Sequence, residues 1–595
     1  MEKSNRFLVT FENLLNGNFK ALSDFEYRKL DNTGLFLKGK FYDSTIDVLL
    51  KNYNANGTNA FQNVDGDFLC ILVELDKITV VRDRHGAGSQ LFYTSTSLSN
   101  SMMSFVEMEG FECKPNFEAL LTFMSIGYIP SPFTALNAVS KLNPGYALEF
   151  KNNRIETFDL YSYKSYMQQA GSSKLTIEQA VTEYEKLHKS AIQNRIKNAQ
   201  KVGLLLSGGY DSGGNISALR DLYKGDVVSY SIGFKDNPWT ELPLAKLLSE
   251  KYNSRHYDYE IDGSEIMQLP EILSATGDPF QEGGLLVNFT VMQLVKNTGE
   301  NPDLILGGDG NDQHFGTSGK ELAMHWKLKS KGVQFLQKWY DTLGDLIPAF
   351  DKDNILFRTE FHNRKILHIQ QSDTFGFSLR KLNNMTLKGI NINELVYLKN
   401  APKSYRNFDD FFYNRNYNID IKQVINEVIL FKSARMSELF GNRMSFPYMS
   451  TDLYNFLNEM PVYYKFKGTL DELSAGKGVS KYLHKTYLKP KLPTEITDRK
   501  KQGGFAPLPI FLKNDAQRKA LFSYLKRADG VKAIFKMDKI EKLLNQYDAI
   551  AASKSYWFCY QQVKANQIIN LLTLAVWWEM YINKKTNLKN INELF

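Results

Sequence analysis

The chain has 595 residues, of which 43% are hydrophobic and 23% are charged, and its formal net charge is +8. This composition argues against a disordered or fibrous chain and provides apolar material for two to four globular domains. The positive charge is mild for this length, so we expect no nucleic-acid partner.

The cysteine content and the hydropathy pattern bear on the cellular compartment. Only Cys70, Cys113 and Cys559 occur, and they form no CxxC pair. This spacing predicts neither a zinc site nor a disulfide framework and favours a reducing compartment. No apolar stretch reaches the ~18 residues of a membrane-spanning helix, and the N-terminal residues lack the apolar region of a signal peptide. We therefore expect a cytoplasmic protein that does not enter a membrane.

Residues 1–165 are rich in short β-type segments. Apolar, β-branched runs at 67–75 and 78–82 are followed by a turn at 85–88 and another predicted strand at 90–94. Clusters of turn-forming residues separate these runs from later ones. The pattern predicts a layered, β-rich N-terminal domain.

Residues 166–595 begin with helical periodicity over 165–200 and then alternate between strands and helices. Apolar strands are predicted at 202–206, 227–234 and 304–306, with helices at 215–223 and 242–252. This alternation predicts an α/β fold with a doubly wound parallel sheet, which binds ligands at the carboxyl ends of its strands. From about residue 320 the chain is mainly helical, with a basic elaboration at 320–435 and a last strong helix at 562–583.

The first predicted strand of this sheet runs into Ser207-Gly208-Gly209-Tyr210-Asp211-Ser212. Glycines let backbone N–H groups approach an anion closely, and a helix start adds partial positive charge. The hydroxyls of Ser207 and Ser212 can donate to phosphate oxygens, whereas Asp211 requires a divalent cation beside a phosphate. The loop is not a Walker A motif, because no Gly-Lys-Ser/Thr follows. A plain strand-to-helix turn is the alternative reading of these glycines.

A second glycine-rich segment, Gly307-Gly308-Asp309-Gly310-Asn311-Asp312, also follows an apolar strand. If both segments lie at the same edge of the sheet, Asp211 and Asp312 can share one metal ion. A calcium-type turn is the alternative, but no EF-hand spacing follows.

These motifs resemble those of the asparagine synthetase superfamily, whose synthetase domain carries a pyrophosphatase loop of SGGxDS type. Residues 307–317 resemble its SGEGxDExFGG motif, with Asp309 and Gln313 in the positions of the two glutamates. Residues 499–505 resemble its R-x-K-x-G-F segment with one extra glycine. Residues 443–450 are similar to its R-x-P-F-L-D segment, although Ser450 replaces the aspartate. The resemblance identifies residues 166–595 as an ATP-pyrophosphatase domain.

Residues 66–68, 82–86, 91–93 and 141–145 resemble the N-terminal, Ntn-type glutaminase domain of the same superfamily. Glutamine-hydrolysing members use a cysteine at position 2, where this sequence has Glu2, and their NGEIYN segment is reduced to a remnant at 38–43. The resemblance therefore implies that residues 1–165 form a degenerate glutaminase domain kept as a scaffold.

The resemblance also implies an activity and its residues. ATP, bound with Mg²⁺, adenylates a substrate carboxylate and releases pyrophosphate, and an amine then displaces AMP to form an amide. The residues implied to bind ATP are Leu205, Ser207, Gly208, Gly209, Asp211, Ser212, Ile232 and Gly308. Asp211 and Asp312 would hold Mg²⁺.

The two catalytic candidates follow from the same motifs. Lys501 would neutralise charge that develops in the transition states, whereas an isolated lysine would be read as a surface charge. Asp309 would accept the proton of the attacking amine or only orient it. His256 also matches a family histidine, and a structural role is expected for it.

A synthetase without glutaminase activity takes its amine from elsewhere, which is the pattern of β-lactam synthetases and lasso-peptide cyclases. We therefore expect a small-molecule or peptide substrate that carries both carboxylate and amine, with peptide macrocyclisation favoured. Such an activity is compatible with biosynthetic partner proteins. An ammonia-dependent asparagine synthetase, a β-lactam synthetase and a non-catalytic scaffold stay open as alternatives. A tRNA-modifying relative is disfavoured by the mild charge.

Overall fold

The computed structural model describes residues 6–236, 240–316, 319–330, 376–377, 379–387, 405–499, 506–552 and 558–595. The catalytic candidate Lys501, much of the 320–435 segment and the side chain of Cys559 lie outside what is described.

Two antiparallel sheets form the N-terminal part of the molecule. The strands are β1 (Leu8–Thr10), β2 (Glu26–Leu30), β3 (Thr33–Phe41), β4 (Gly66–Val73), β5 (Lys77–Arg82), β6 (Phe92–Tyr93), β7 (Ser97–Ser99), β8 (Ser140–Lys141), β9 (Tyr146–Lys151) and β10 (Arg154–Asp159). Six of them pair in the order β10-β9-β5-β4-β3-β2, and four in the order β1-β7-β6-β8. The helices of this part are α1 (Phe11–Leu15), α2 (Ile46–Asn56), α3 (Met102–Val106), α4 (Phe117–Ile126) and α5 (Tyr163–Gln169).

Alternating side chains explain why these strands stack as layers. Ile71 and Val80 of the six-stranded sheet share one buried cluster with Val9 and Leu98 of the four-stranded sheet. The neighbouring residues point to the opposite face, where Cys70 joins a second cluster that includes residues of α2. This period-2 alternation buries both faces of the central strands of the larger sheet and confirms the layered β-rich prediction.

A five-stranded parallel sheet organises the following residues. It contains β11 (Lys201–Leu205), β12 (Asp226–Phe234), β13 (Arg255–Ile261), β14 (Leu304–Leu306) and β15 (Met444–Ser445). The strand order is β13-β12-β11-β14-β15, and all four pairings are parallel. Its helices are α6 (Ile177–Ile196), α7 (Tyr210–Leu222), α8 (Leu242–Lys251), α9 (Leu269–Thr276) and α10 (Leu285–Thr298).

Helices cover both faces of this sheet, as a doubly wound fold requires. Val202 and Leu204 of β11 belong to a cluster that contains residues of α6, α7 and α8. Val228 and Tyr230 of β12 point the other way and pack in a cluster with residues of α9 and α10. The predicted α/β class with a parallel sheet is therefore confirmed.

Several boundaries differ from the sequence prediction. The helix after β11 begins at Tyr210 and not at residue 215, so Asp211 and Ser212 belong to its first turn. Two strands of the parallel sheet were not predicted: β13, whose pattern is largely polar because it lies at the sheet edge, and the two-residue strand β15. A two-residue strand is too short to show any periodicity.

The remaining described elements are mainly helical, as predicted. The helices are α11 (Asn311–His314), α12 (Gly319–Ser330), α13 (Leu379–Met385), α14 (Phe408–Arg415), a π-helical segment (Asn416–Ile429), α15 (Leu430–Leu439), α16 (Thr451–Glu459), α17 (Val462–Lys465), α18 (Leu470–Ser474), α19 (Tyr482–Leu488), α20 (Thr494–Thr497), α21 (Asp515–Arg527), α22 (Asp529–Ile534), α23 (Met537–Ala552) and α24 (Phe558–Tyr581). The short antiparallel pair β16 (Phe466–Lys467) and β17 (Val479–Ser480) precedes α19. Within the described ranges, no helix has the length and apolarity to cross a membrane.

Buried ionic contacts join the antiparallel sheets to the parallel sheet. Arg195 at the end of α6 donates to both carboxylate oxygens of Asp65, at 2.9 and 3.0 Å, and through Nε to Oγ of Ser445, at 2.9 Å. The Ser445 hydroxyl in turn donates to Asp67, at 2.6 Å. The N-terminal part is therefore fixed to β15 and to α6, both of which also support the second glycine loop.

Candidate functional site

The two glycine-rich loops meet at the carboxyl edge of the parallel sheet. One follows β11 and the other follows β14, which are adjacent strands, whereas β12 lies on the opposite side of β11. The chain adds β12 and β13 on one side of β11 and then places β14 and β15 on its other side, so the order of strands reverses between β11 and β14. Such a topological switch point is where open α/β sheets bind ligands.

The first loop presents polar hydrogens at the start of α7. The first N–H groups of an α-helix have no intrahelical acceptor, and Gly209, which precedes α7, provides no side-chain cap for them. The Ser212 hydroxyl lies 3.1 Å from both the backbone nitrogen and the hydroxyl of Ser207. Together these groups form a cradle of donors suited to an anion.

Two glycines are required by the backbone geometry. Gly208 has φ +69°, and an added Cβ would lie 2.7 Å from Cβ of Leu244. At Gly308 an added Cβ would lie 3.2 Å from the backbone nitrogen of Ser212. Gly208 lets α8 approach the first loop closely, and Gly308 lets the two loops approach each other.

Asp211 and Asp312 converge on one ammonium group. Nζ of Lys481 lies 2.7 Å from Oδ2 of Asp211 and also forms an ion pair with Oδ1 of Asp312. Burial by itself raises the pKa of Asp211, but Lys481 and the neighbouring His484 outweigh burial and hold that pKa well below its usual range. Burial likewise disfavours the charged form of Lys481, yet the two aspartates raise its pKa.

A chain of buried polar side chains contacts Asp211. Asn311 donates its side-chain N–H to Oδ1 of Asp211, at 2.6 Å, and its carbonyl oxygen accepts from the Tyr184 hydroxyl, at 3.0 Å. His484 lies between the same two groups, with Nδ1 2.9 Å from the Tyr184 hydroxyl and Nε2 3.1 Å from Asp211. Tyr184 and His484 are fully buried, so this arrangement holds Asp211 in one orientation.

The opposite wall of the site carries a second charged cluster. Oδ2 of Asp309 accepts a hydrogen bond from Ser433, at 2.8 Å, and Lys432 forms an ion pair with Glu282. Burial raises the pKa of Asp309, while the charge of Lys432 partly offsets this effect. A carboxylate with a raised pKa is a better proton acceptor near neutral pH.

These groups enclose a cavity of about 580 Å³, a volume typical of small-molecule sites. The predicted residues that line it are Leu205, Ser207, Gly209, Asp211, Ser212, Ile232, Gly308, Asp309 and Asp312. Gly208 contributes through its backbone conformation, and Lys501 lies outside the described residues. His256 lies on β13 and contacts Ser229, at 2.9 Å, away from the cavity lining.

Sequence reasoning missed five charged residues of the site. The cavity is lined by Lys481, Lys485, Lys432, Glu282 and Glu241, but charged residues are normally solvated surface groups. The one available signal was the Lys481-x-x-His484 spacing, because residues three apart at a helix start lie on the same side.

The two carboxylates fit a magnesium ion that is also held by phosphates. No group of three or more His, Cys, Asp or Glu side chains within the described ranges is arranged to bind a metal by itself. Mg²⁺ commonly takes one or two carboxylates and completes its shell with water and substrate phosphates. Asp211 and Asp312, which both contact the Lys481 ammonium, match that donor set.

Comparisons with known proteins show to which family the chain belongs. The family model described as asparagine synthase matches residues 183–579, and the model described as glutamine amidotransferase domain matches residues 24–164. "Asparagine synthetase [glutamine-hydrolyzing] 1" of Bacillus subtilis is 22% identical over 557 residues, which cover 91% of this chain and 82% of the relative. "Putative asparagine synthetase [glutamine-hydrolyzing] 2" of Methanocaldococcus jannaschii is 26% identical over 47% of this chain, and the match spans 56% of that relative.

Among solved structures, glutamine phosphoribosylpyrophosphate amidotransferase from B. subtilis, complexed with ADP and GMP, matches with 10% identity and a TM-score of 0.16. This match covers 47% of the chain and 56% of that structure. The asparagine synthase model spans well over half of the chain, including both glycine loops and Lys481. The chain belongs to the asparagine synthase family.

Proposed function

We propose that this protein is an ATP-dependent ligase that forms an amide bond through an acyl-adenylate and releases pyrophosphate and AMP. The observation that carries the proposal is the convergence of Asp211 and Asp312, from two separate glycine loops, on one ammonium group at the switch point. Membership in the asparagine synthase family supports the ligase class.

The proposed reaction has two steps. The substrate carboxylate attacks the α-phosphorus of ATP, the bond to the bridging oxygen breaks, and pyrophosphate leaves. The amine then attacks the acyl carbon, the bond to AMP breaks, and the amine proton passes to a base. The proposed adenine contacts are Leu205, Ile232 and Gly308, which line the cavity at the strand ends.

The chain's own groups have distinct roles in these steps. The Ser207 and Ser212 hydroxyls and the first N–H groups of α7 bind the pyrophosphate portion. Asp211 and Asp312 would hold Mg²⁺, which when bound supplies charge neutralisation at the phosphates. Asp309, whose pKa is raised by burial, accepts the amine proton, and Lys501 stabilises developing negative charge.

We further propose two domains, with residues 1–165 as a scaffold that has no glutaminase activity. Cys70 lies in the buried interior of β4 with no exposed surface, and burial raises its pKa well above the usual range. A thiol of this kind is a poor nucleophile. The Asp65–Arg195 pair and the Asp67–Ser445 hydrogen bond support the scaffold role, because they connect this part to β15 and α6 of residues 166–595.

Because the scaffold releases no ammonia, we propose that the amine is part of the substrate, as in lasso-type peptide macrocyclisation. The cavity contains both signs of charge, from Lys432, Glu282 and Asp309, which suits a substrate with both a carboxylate and an amine. Ammonia-dependent asparagine formation and β-lactam formation differ from this proposal in the substrate required. The proposed setting is the cytoplasm, together with biosynthetic partner proteins.

A substrate panel tests the function. Pyrophosphate release from ATP and Mg²⁺ is measured with aspartate plus ammonia, short acidic peptides and N-carboxyalkyl amino acids. Release with one member of the panel, abolished by Asp312→Asn and by Lys501→Ala, would support the ligase and identify its substrate class. No release with any member, together with no ATP binding by calorimetry, would favour the non-catalytic scaffold.

A further inference from the structure

Lys481 lies where a divalent cation would be needed. Its Nζ atom contacts Asp211 at 2.7 and 3.0 Å and also contacts Asp312. The Lys481 side chain is only 12% exposed, so this ion pair is poorly screened by water. The same carboxylate oxygens are the ones that the proposed function assigns to Mg²⁺.

The backbone at Lys481 adopts an energetically unfavourable conformation. The residue has φ +54° and ψ +43°, the left-handed conformation, immediately before α19. For a residue other than glycine this conformation is strained, and such residues are concentrated at functional sites. The neighbouring Leu483, Tyr487 and Leu488 are buried, so the packing of α19 fixes the point from which the lysine side chain extends.

The Lys481 ammonium must move away before a metal ion can bind the carboxylate oxygens of Asp211 and Asp312. A divalent ion that coordinates Asp211 and Asp312 would lie within a few ångströms of the Lys481 ammonium, and like charges at that distance repel strongly in a buried site. A polyphosphate changes this balance, because its negative oxygens give the ammonium a new partner and also complete the metal's ligand shell.

We propose that Lys481 is a built-in counter-cation that excludes free divalent metal from Asp211 and Asp312 until a nucleotide triphosphate arrives. Metal therefore enters together with the nucleotide. In the nucleotide-free protein the Lys481 ammonium balances the negative charge of the two carboxylates. This inference rests on the proposed function only for the identity of the two metal ligands.

Binding of Mn²⁺ alone, followed by the paramagnetic resonance signal of the free ion, tests the inference without nucleotide or turnover. The wild-type protein is expected to bind Mn²⁺ weakly, and Lys481→Met is expected to bind it at least about tenfold more tightly, which corresponds to the removal of one strong repulsive contact. Lys489→Met is the control, because Lys489 is an exposed lysine directly after the same helix and does not line the cavity; its Mn²⁺ affinity should equal that of the wild type. In Lys481→Met combined with Asp312→Asn, the gain should disappear.

Thermal unfolding shows whether the variants are folded and gives a second measure of Mn²⁺ binding. Added Mn²⁺ should raise the Tm of Lys481→Met and of a second variant, Lys481→Gln, and leave the wild-type Tm unchanged. Equal Mn²⁺ affinity in the wild type and in both folded variants would overturn the inference. The proposed function is tested separately by pyrophosphate release, so either statement can fail while the other stands.

Discussion

The side-chain nitrogen of Asn311 lies 2.6 Å from Oδ1 of Asp211, so that a single hydrogen bond joins the two glycine loops. The other end of the Asn311 amide accepts from Tyr184 on α6. The position of Asp211 therefore depends on a helix that is also bonded to the N-terminal sheets through Arg195.

Replacing Asn311 by leucine should impair catalysis more than stability. The substitution removes a hydrogen bond to a charged group, worth about 1.5–3 kcal/mol, so kcat/KM should fall roughly 10- to 100-fold. Steady-state pyrophosphate release measures this effect. Leucine at the exposed Asn198 is the control, and an equal loss of activity in both variants would refute the role of Asn311.

Replacing Asp309 by asparagine should separate the two half-reactions. Adenylation does not need a proton acceptor for the amine, so pyrophosphate release should persist while amide formation falls about 10²- to 10⁴-fold, the usual range for general base catalysis. Single-turnover assays of pyrophosphate and amide in parallel measure the split. The exposed Asp236→Asn is the control, and a variant that loses both steps equally would show that Asp309 only maintains the site.

Arg195→Met should destabilise the protein strongly. Asp65 would lose its bidentate partner in a pair whose side chains are 1% and 10% exposed, and breaking a buried ion pair costs about 3–5 kcal/mol. Urea unfolding measures the loss. On the same helix the exposed Lys186–Glu183 pair provides a control, because Lys186→Met should cost less than about 1 kcal/mol; similar losses in both variants would contradict the scaffold role.

Lys465 should give the protein a pH-dependent stability. Burial lowers its pKa to about 7 from an unfolded value of 10.5, while its Nζ donates to the carbonyl oxygen of His314, at 2.9 Å. Between these values the unfolded chain binds the extra proton, so this residue makes stability rise with pH by about 1.4 kcal/mol per unit. Below about pH 7 both states are protonated and this contribution is constant.

Unfolding free energies of the wild type and Lys465→Met, compared from pH 6 to 9, measure that slope. The wild type should gain stability relative to the variant above pH 7. The exposed Lys467→Met serves as the control and should follow the wild type. A difference between wild type and Lys465→Met that does not change with pH would contradict the lowered pKa.

The sequence predicted those parts of the fold and site that local patterns encode. The strand at 304–306 was predicted with its observed bounds, because a short apolar run ends at two glycines, and both loops were found by their glycines and carboxylates. Lys481 and His484 were missed because their role arises from contacts with Asp211, 270 and 273 residues earlier, and their own spacing places them on one side of a helix without revealing that partner. The start of α7 at Tyr210 was missed because Gly213 and Gly214 are poor helix formers that tertiary packing nevertheless tolerates.

The ATP-derived products test the central claim most directly. With the substrate found in the panel, chromatography of the nucleotides should show AMP and pyrophosphate formed in a one-to-one ratio with the amide, and Asp211→Asn should abolish all three. Formation of ADP and phosphate, or amide formation that survives in Asp211→Asn, would contradict acyl-adenylate chemistry at the two glycine loops.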